Sequence, residues 1–221
     1  MNNSLALFDL DHTLLHCDSD VEWSRYLSDK GYVSKEVQSI RKKYSADYHN
    51  GTLNLDEFLK FQLGILSLFP RAQLECMHRE FLSEYIIPHI PSTAYALVRK
   101  HEEQGDDLLL VSATNEFIIK PIAQLFHITE VIGVSLVTDA EGNYTGEYIG
   151  VPSYREGKVL RVEEWLRQRQ KSWDAYQASY FYSDSSNDLA LLTKVDYPVA
   201  VNPDEKLYSY AKVQNWPILN L

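Results

Sequence analysis

Four short apolar segments along the chain have the length and composition of buried strands. They span residues 5–8, 107–112, 178–182 and 199–201. Each is a nearly continuous run of aliphatic or aromatic residues, which is typical of parallel strands covered on both faces. The sequence therefore predicts a sheet whose central strands are buried.

Helical spacing of apolar residues fills much of the chain between these strands. It runs from residue 21 to about residue 104, and it returns over 116–125, 158–168 and 187–193. In each segment the apolar residues recur three or four positions apart, as they do on one face of a helix.

The alternation of strands and helices predicts an α/β fold, a Rossmann-like doubly wound parallel sheet with helices on both faces. Residues 131–137 and 144–149 flank a turn sequence and predict a hairpin. The long helical stretch interrupts the alternation after the first strand, and we interpret residues 16–90 as an inserted helical cap. The predicted core domain then comprises residues 1–15 and 91–221.

The charge balance limits the partners. With 21 basic and 31 acidic residues, the chain carries a formal net charge of −10. Its long-range field repels polyanions, which argues against nucleic acid and anionic membranes as partners. A small anionic substrate would need a metal ion or a well-placed lysine to offset that field. No feature of the sequence indicates an oligomeric state.

The cysteines and the N-terminal segment indicate the cellular compartment of the protein. Cys17 and Cys76 are far apart, a pattern of free thiols rather than of a disulfide framework or a zinc site. The opening MNNSLALFDLDHTLL has no basic stretch, and acids break its apolar run, unlike a signal peptide or a membrane anchor. We expect a protein of the reducing cytoplasm with no membrane partner.

Polar residues follow the predicted strands at the points where the strands end. Asp9 and Asp11 follow the first strand, Ser112 ends the second and Asp184 follows the third, while Lys158 opens a helix. The carboxyl ends of parallel strands meet at one edge of a sheet. We therefore expect these side chains to converge.

These residue types suit phosphoryl transfer. An ionised Asp9 can attack phosphorus, and Asp11 can protonate the departing alkoxide and then deprotonate a water. Asp9 and Asp184 supply hard oxygen ligands for Mg²⁺, the expected cofactor. Lys158 offers a positive point charge and Ser112 a hydroxyl donor to the phosphoryl oxygens.

Four segments resemble, in order along the chain, the signature motifs of the haloacid dehalogenase (HAD) superfamily. They read FDLDHTL, LLVSATN, REGKV and YSDSSNDLALL. The helical insert lies between the first and second motifs, and this position resembles the C1-capped branch, subfamily IB, that contains phosphoserine phosphatase. The resemblance implies a HAD core with a C1 cap and a phosphatase activity.

The resemblance also implies a role for each motif residue. Asp9 would be the nucleophile and a Mg²⁺ ligand, and Asp11 the acid/base whose backbone carbonyl also reaches the metal. The other implied positions are the phosphate contacts Ser112, Ala113 and Lys158, the metal ligand Asp184, and Asn187 and Asp188 in the surrounding shell.

Two positions depart from the family pattern, since His12 and Ser183 stand where glycines are usual. His12 either touches the substrate or tolerates the turn. The segment Asp18-Ser19-Asp20 and Glu22, where the chain enters the cap, could bind a cationic part of the substrate, with Asp20 and Glu22 as the candidate contacts. Asp20 would serve equally well as a helix N-cap.

Structural interpretations compete with these functional ones. Ser112 could be an N-cap, and Lys158 a solvated lysine, although a cation is unfavourable at the start of a helix. The basic run Arg41-Lys42-Lys43 is typical of a solvated face, and the alternative is that it faces an anionic group of the substrate. Four aromatic residues are predicted to form the core of the cap rather than a substrate site: Tyr44, Tyr48, Phe58 and Phe61.

These observations predict a Mg²⁺-dependent phosphatase that hydrolyses a small phosphorylated metabolite through an aspartyl-phosphate on Asp9. Two alternatives stay open: a receiver-type phospho-acceptor domain for signalling, and a HAD scaffold without activity. Dehalogenation is disfavoured because it has no leaving alkoxide and therefore no use for Asp11. Phosphoserine is the first candidate substrate, and histidinol phosphate, another small phosphate ester and a phospholipid-derived substrate are open alternatives.

Overall fold

The computed structural model describes residues 3–221, the side chain of His49 excepted. Residues 1 and 2 of the predicted core segment lie outside the described residues. The strands are β1 (Leu5–Phe8), β2 (Asp107–Asn115), β3 (Glu130–Thr138), β4 (Tyr144–Ile149), β5 (Ser179–Ser183), β6 (Tyr197–Val201) and β7 (Ile218–Leu219). They form a seven-stranded sheet in the order β4-β3-β2-β1-β5-β6-β7. Every neighbouring pair is parallel except β3 and β4, which form the predicted hairpin.

The helical insert after β1 begins with α1 (Ser19–Asp29), α2 (Glu36–Asn50), α3 (Leu55–Leu66) and α4 (Arg71–Phe81), and a π-helical turn (Leu82–Ile86) and a 3-10 turn (Ile87–His89) follow. The remaining helices are α5 (Ser92–Gln104), α6 (Glu116–Leu125), α7 (Glu156–Gln168), α8 (Leu189–Leu192) and α9 (Glu205–Gln214), with 3-10 turns at Trp173–Ala175 and Ser186–Asp188. The predicted α/β fold with a helical cap after the first strand is confirmed. The boundaries 16–90 for the cap and 1–15 with 91–221 for the core stay predictions.

Strand β1 is completely buried because its side chains alternate between two hydrophobic layers. Ala6 and Phe8 pack in the layer that includes α5, α6 and the cap. Leu5 and Leu7 pack in the opposite layer, with α7, α8 and α9. The continuous apolar run in the sequence thus reflects two buried faces, and it fixes the end of β1 in the middle of the sheet.

Four elements differ from the sequence-based expectation. Strand β2 continues beyond Ser112 to Asn115, and the helix predicted over 187–193 is divided into a 3-10 turn and the short α8. Helix α9 was not predicted, although Asp204 is a recognisable start signal whose carboxylate accepts a hydrogen bond from the Leu207 N–H. Strand β7 has only two residues, too few to show a pattern.

The helices described over residues 3–221 include none that combines the length and the apolar composition needed to cross a bilayer.

The cap is anchored to the core through a buried histidine. His78 of α4 is 3% exposed, and its Nε2–H donates to the carbonyl of Ile118 in α6 at 2.9 Å. Its ring also contacts the rings of Trp23 and Phe117. Burial lowers the pKa of the imidazole to about 4, since the charged form would lose its hydration.

This histidine makes stability depend on pH. The folded pKa lies below the ordinary value of 6.5, so its contribution is complete above pH 6.5 and is lost as the pH falls towards 4. The free energy of unfolding should fall between pH 7 and 4.5 in the parent. In His78→Gln, whose side chain can still donate to Ile118, we expect this fall to be smaller by about 2 kcal/mol. Urea unfolding of both proteins at the two pH values measures the difference. Parallel pH profiles would contradict the expectation.

Candidate active site

The candidate site lies at the carboxyl ends of β1, β2 and β5. Asp9 follows β1, and its N–H donates to the carbonyl of Tyr182 in β5 at 2.9 Å. Asp184 follows β5 directly. These two aspartates line one cavity together with Asp11 and Ser112. The structure therefore brings together the polar residues that were predicted to converge.

Lys158 provides the buried cation of the site. It lies in the first turn of α7 and is 1% exposed. Its Nζ donates to Asp9 Oδ1 at 3.0 Å and to Asp188 Oδ2 at 2.7 Å. A Cβ at Gly157 would overlap the carbonyl oxygen of Pro152, so only glycine allows the close backbone approach that starts α7 here. The interpretation of Lys158 as a solvated lysine is wrong.

The carboxylates outnumber this cation, and their pKa values reflect it. Burial raises the pKa of Asp9 to about 7 despite the opposing effect of Lys158, and the charges of Asp188 and Asp11 raise it further. Burial, with repulsion from Asp9 and Asp188, also raises the pKa of Asp184 well above its usual range. The site thus has an excess of negative charge that a further cation would relieve.

Asp11 is held by both the cap and the core. Its Oδ1 accepts from the N–H of Ser19 in α1 at 2.6 Å, and its Oδ2 accepts from the Thr114 hydroxyl of β2 at 2.9 Å. Burial is the largest effect on its pKa, which is raised to about 6. A carboxyl with such a pKa can both give and take a proton near neutral pH.

Asp184 and Asp188 are fixed by hydroxyl groups. Thr13 donates through its hydroxyl to Asp184 Oδ1 at 3.1 Å and accepts from the Asp184 N–H at 3.0 Å. Ser183, which stands at a position where the family usually has glycine, donates to Asp188 Oδ2 at 2.7 Å. Asp188 Oδ1 is buried and has no hydrogen-bond partner. Asn187 accepts from Arg155 Nε at 3.1 Å and lies outside this group.

The phosphate-contact candidates at the end of β2 also border the cavity. Ser112 and Ala113 line it, and the Ser112 hydroxyl lies 3.5 Å from Asp11 Oδ2. The interpretation of Ser112 as an N-cap is wrong. Asn115 caps α6 instead, and its side chain accepts from the Ile118 N–H.

The cap covers the cavity with aromatic side chains. Three of the four aromatic residues predicted to form cap core line the cavity, namely Tyr44, Tyr48 and Phe58. Phe61 lies behind Tyr44, with their ring centroids 5.4 Å apart. The prediction is therefore corrected for three residues, because α2 and α3 turn these rings towards the site.

Arg41 is not part of a solvated face. It is 6% exposed, whereas Lys42 and Lys43 are exposed. Its Nε donates to Asp20, and its Nη2 donates to Asp18 Oδ2 at 3.2 Å. Arg41 and Asp18 line the cavity. The guanidinium charge is thus matched by two carboxylates.

The candidate substrate contacts Asp20 and Glu22 lie away from the cavity. Asp20 is 1% exposed and is held by Arg41 and Gln62, and Glu22 pairs with Arg25 at 3.1 Å. Neither residue lines the cavity. The N-cap of α1 is Asp18 rather than Asp20, since Asp18 accepts from the N–H groups of residues 20 and 21.

His12 does line the cavity, and its φ of 56° lies in the left-handed region. The usual glycine would adopt this φ without strain, whereas a histidine does so at some cost.

Thr114 was missed by the sequence reasoning, and the contacts of Thr13, Asp18 and Arg41 were not predicted. Thr13 lies inside the first motif, and Thr114 lies two residues after Ser112 on the same face of β2, so periodicity alone could have found it. Asp18 and Arg41 approach the site through the folding of α1 against α2. No local pattern indicates that approach.

The site can now be compared with known proteins. A model of the haloacid dehalogenase-like hydrolases matches residues 6–193. The chain belongs to this family. A histidinol-phosphatase of Neisseria meningitidis serogroup C (strain 8013) is 50% identical over 218 residues, which are 98% of each chain. A phosphoserine phosphatase of Mycobacterium tuberculosis is 26% identical over 224 residues, covering 96% of this chain and 69% of the relative.

Solved structures agree with this membership. A protein of unknown function from Bordetella pertussis Tohama I has a TM-score of 0.94 and 38% identity, with 99% of each chain covered. A substrate-bound phosphoserine phosphatase has a TM-score of 0.71 and 17% identity, with 100% of this chain and 93% of that chain covered. The prediction of a HAD phosphatase that resembles phosphoserine phosphatase is confirmed, and the chain is a HAD phosphomonoesterase.

The donor set of this HAD phosphatase fits a hard divalent cation. Among residues 3–221, no three histidine, cysteine or acidic side chains form a complete metal cage. Mg²⁺ does not need one, since it keeps several waters and takes one or two carboxylates together with substrate phosphate. Asp9 and Asp184 provide two such carboxylates, and the unpartnered Asp188 Oδ1 lies in the same charge cluster.

The ion pairs of Lys158 predict a large effect on stability. In metal-free buffer at pH 7, we expect Lys158→Met to lower the free energy of unfolding by about 3–5 kcal/mol, because two buried carboxylates lose their cation. The loss should shrink near pH 5, since carboxyls with raised pKa values take up protons in the folded state.

The matched control is Lys171→Met. Lys171 pairs with Asp107 at 2.8 Å, and its side chain is 37% exposed, so the loss should stay below about 1 kcal/mol. Urea unfolding measures both variants. Similar losses at the two positions would refute the role given to the buried pairs.

Proposed function

We propose that this HAD phosphatase is a Mg²⁺-dependent enzyme that hydrolyses histidinol phosphate through an aspartyl-phosphate on Asp9. The observation that supports histidinol phosphate as the substrate is that Arg41 in the cavity wall is already paired with acidic side chains. The 50% identity to a histidinol-phosphatase along nearly the whole chain supports the same choice.

The charges of the wall favour a cationic substrate group. Arg41 is bound by both Asp18 and Asp20, so its positive charge is already matched within the wall. Phosphoserine has a carboxylate, which would need a cation that is free to pair with it. Histidinol phosphate has an ammonium group and no carboxylate, so Asp18 at the cavity surface suits it better.

The aromatic wall supports an imidazole as the rest of the substrate. Tyr44, Tyr48 and Phe58 line the cavity above the aspartates. Flat rings of this kind bury a planar group at a small cost in side-chain entropy, and they interact favourably with a partly cationic ring. Phosphoserine has no group that would use this surface.

The proposed reaction has two displacements at phosphorus. The Asp9 carboxylate attacks the phosphoryl group, and the alkoxide of the amino alcohol leaves with a proton from Asp11. Asp11 then removes a proton from water, whose oxygen attacks the phosphoryl group on Asp9, and phosphate leaves. Lys158 favours the ionised form of Asp9, because its ion pair with Asp9 opposes the effect of burial.

The remaining candidate residues would stabilise the negative charge that develops on the phosphoryl oxygens during the reaction. Asp9, Asp184 and the backbone carbonyl of Asp11 would hold Mg²⁺, which supplies positive charge to the phosphoryl oxygens. Ser112 donates its hydroxyl, and the N–H of Ala113 lies beside it for a second oxygen.

A substrate comparison tests this proposal. In the presence of Mg²⁺, we expect kcat/KM for histidinol phosphate to exceed that for phosphoserine by roughly 10² or more, because an unpaired buried carboxylate is strongly disfavoured. Phosphate release measures both. Asp18→Asn should narrow the ratio, since it removes the acidic group at the cavity surface. A preference for phosphoserine, or a ratio that Asp18→Asn leaves unchanged, would contradict the assignment.

The roles of the two aspartates are tested separately. We expect Asp9→Asn to abolish turnover and Asp11→Asn to reduce it by roughly 10² or more, the scale of lost general acid catalysis. Both variants should keep the far-ultraviolet circular dichroism of the parent. Full activity in Asp9→Asn would exclude it as the nucleophile. A long-lived phosphoprotein in the parent, with no ester hydrolysis, would favour the receiver-type alternative.

A further inference from the structure

Two core residues hold the last turn of the cap helix α2. Arg155 Nη2 donates to the carbonyl of Gly51 at 3.2 Å, and Asn187 Nδ2 donates to the carbonyl of Tyr48 at 3.4 Å. The carbonyls of a last helical turn lack donors within the helix, and a cation is favourable at that end. The core therefore adds a cation and a second donor at the end of α2, where the Tyr48 carbonyl also accepts from the Gly51 N–H at 3.1 Å.

The two donors belong to the segments that build the catalytic cluster. Arg155 precedes α7, and its carbonyl accepts from the N–H of Lys158 at 3.0 Å. Asn187 precedes Asp188 in the chain. Arg155 Nε also donates to Asn187 Oδ1 at 3.1 Å. One continuous set of hydrogen bonds thus joins the end of α2 to the segments that carry Lys158 and Asp188.

The backbone on both sides of this contact adopts positive φ values. Arg155 has φ 52° and ψ −123°, a conformation that favours glycine. Gly51 ends α2 in the left-handed region with φ 74°, and a Cβ there would lie 3.0 Å from Arg155 Nη2. Arg155 thus adopts a strained backbone conformation at a position from which its side chain reaches α2. Opposite it, Gly51 leaves room that a side chain would occupy.

Helix α2 also carries the cavity wall. Arg41, Tyr44 and Tyr48 line the cavity from this helix, and the ring of Tyr48 lies 5.6 Å from that of Tyr154, next to Arg155. Any movement of the end of α2 away from Arg155 would withdraw these side chains from the aspartates.

We infer that Arg155 is a positioning residue that holds α2 closed over the reaction site. Its side chain couples the position of the cap wall to the segment that carries Lys158. The inference does not depend on which ester the cavity accepts, and it adds a function for a residue that touches none of the reacting atoms.

Hydrogen exchange without substrate tests the inference directly. In Arg155→Gly we expect the amides of α2 to exchange at least roughly tenfold faster, because the charge-assisted hydrogen bond to the Gly51 carbonyl is lost. The melting temperature should be equal to or above that of the parent, since glycine relieves the strained φ. Arg155→Lys, which keeps the charge without the fork of donors, should give an intermediate rate.

Gln170→Gly is the matched control. Gln170 is exposed, follows α7 at its other end and also has a positive φ of 55°. The substitution relieves the same kind of strain without touching the cap, so α2 should exchange as in the parent. If α2 exchanges at the parental rate in Arg155→Gly, or equally fast in Gln170→Gly, the inference is wrong.

Steady-state kinetics add a second readout. Arg155→Gly should lose more activity towards histidinol phosphate, chiefly as a rise in KM, than towards acetyl phosphate, whose acyl group is too small to reach the tyrosines of α2. Equal losses for the two substrates would overturn the inference. If the parent does not hydrolyse histidinol phosphate, the proposed substrate fails, and the exchange rates of α2 still decide the role of Arg155.

Discussion

The buried ion pairs of Lys158 are the interaction on which the rest of the site depends. Burial disfavours the charged form of Asp9, and Lys158 opposes that effect from a position that is itself almost fully buried. A buried pair of this kind contributes little net stability, but removing one partner is costly. The arrangement is therefore better understood as one that favours the ionised form of a nucleophilic carboxylate inside the protein.

The fold makes this arrangement possible by bringing distant parts of the chain to one edge. Lys158 and Asp9 are 149 residues apart in sequence, and they meet because α7 begins where the parallel strands end. Helices on both faces of the sheet bury β1 completely, so Asp9 follows β1 at a fixed point in the middle of the sheet. The cap adds an aromatic wall and an arginine already matched by acids. In the proposed reaction, the core thus supplies the chemistry of phosphoryl transfer, and the cap selects the leaving group.

Much of the core could be predicted from the sequence, because its signals are local. A short apolar run followed by an acid indicates both a buried strand and a residue at its carboxyl end, and this was sufficient for Asp9 and Asp184. The wall of the cavity could not be found in this way. Arg41 stands in a basic run that is typical of a solvated face, and it is buried only because α1 brings Asp18 and Asp20 against it. Aromatic residues at helical spacing, such as Tyr44, are equally compatible with cap core and with a cavity.

We propose that the Asp9 carboxylate, whose ionised form Lys158 favours, receives the phosphoryl group. Rapid acid quenching of the enzyme during turnover of radiolabelled histidinol phosphate, followed by peptide mapping, tests this most directly. We predict a label that appears within one turnover on the peptide containing Asp9 and disappears as substrate is exhausted. A label on another residue, or steady phosphate release with no labelled protein at any time, would contradict it.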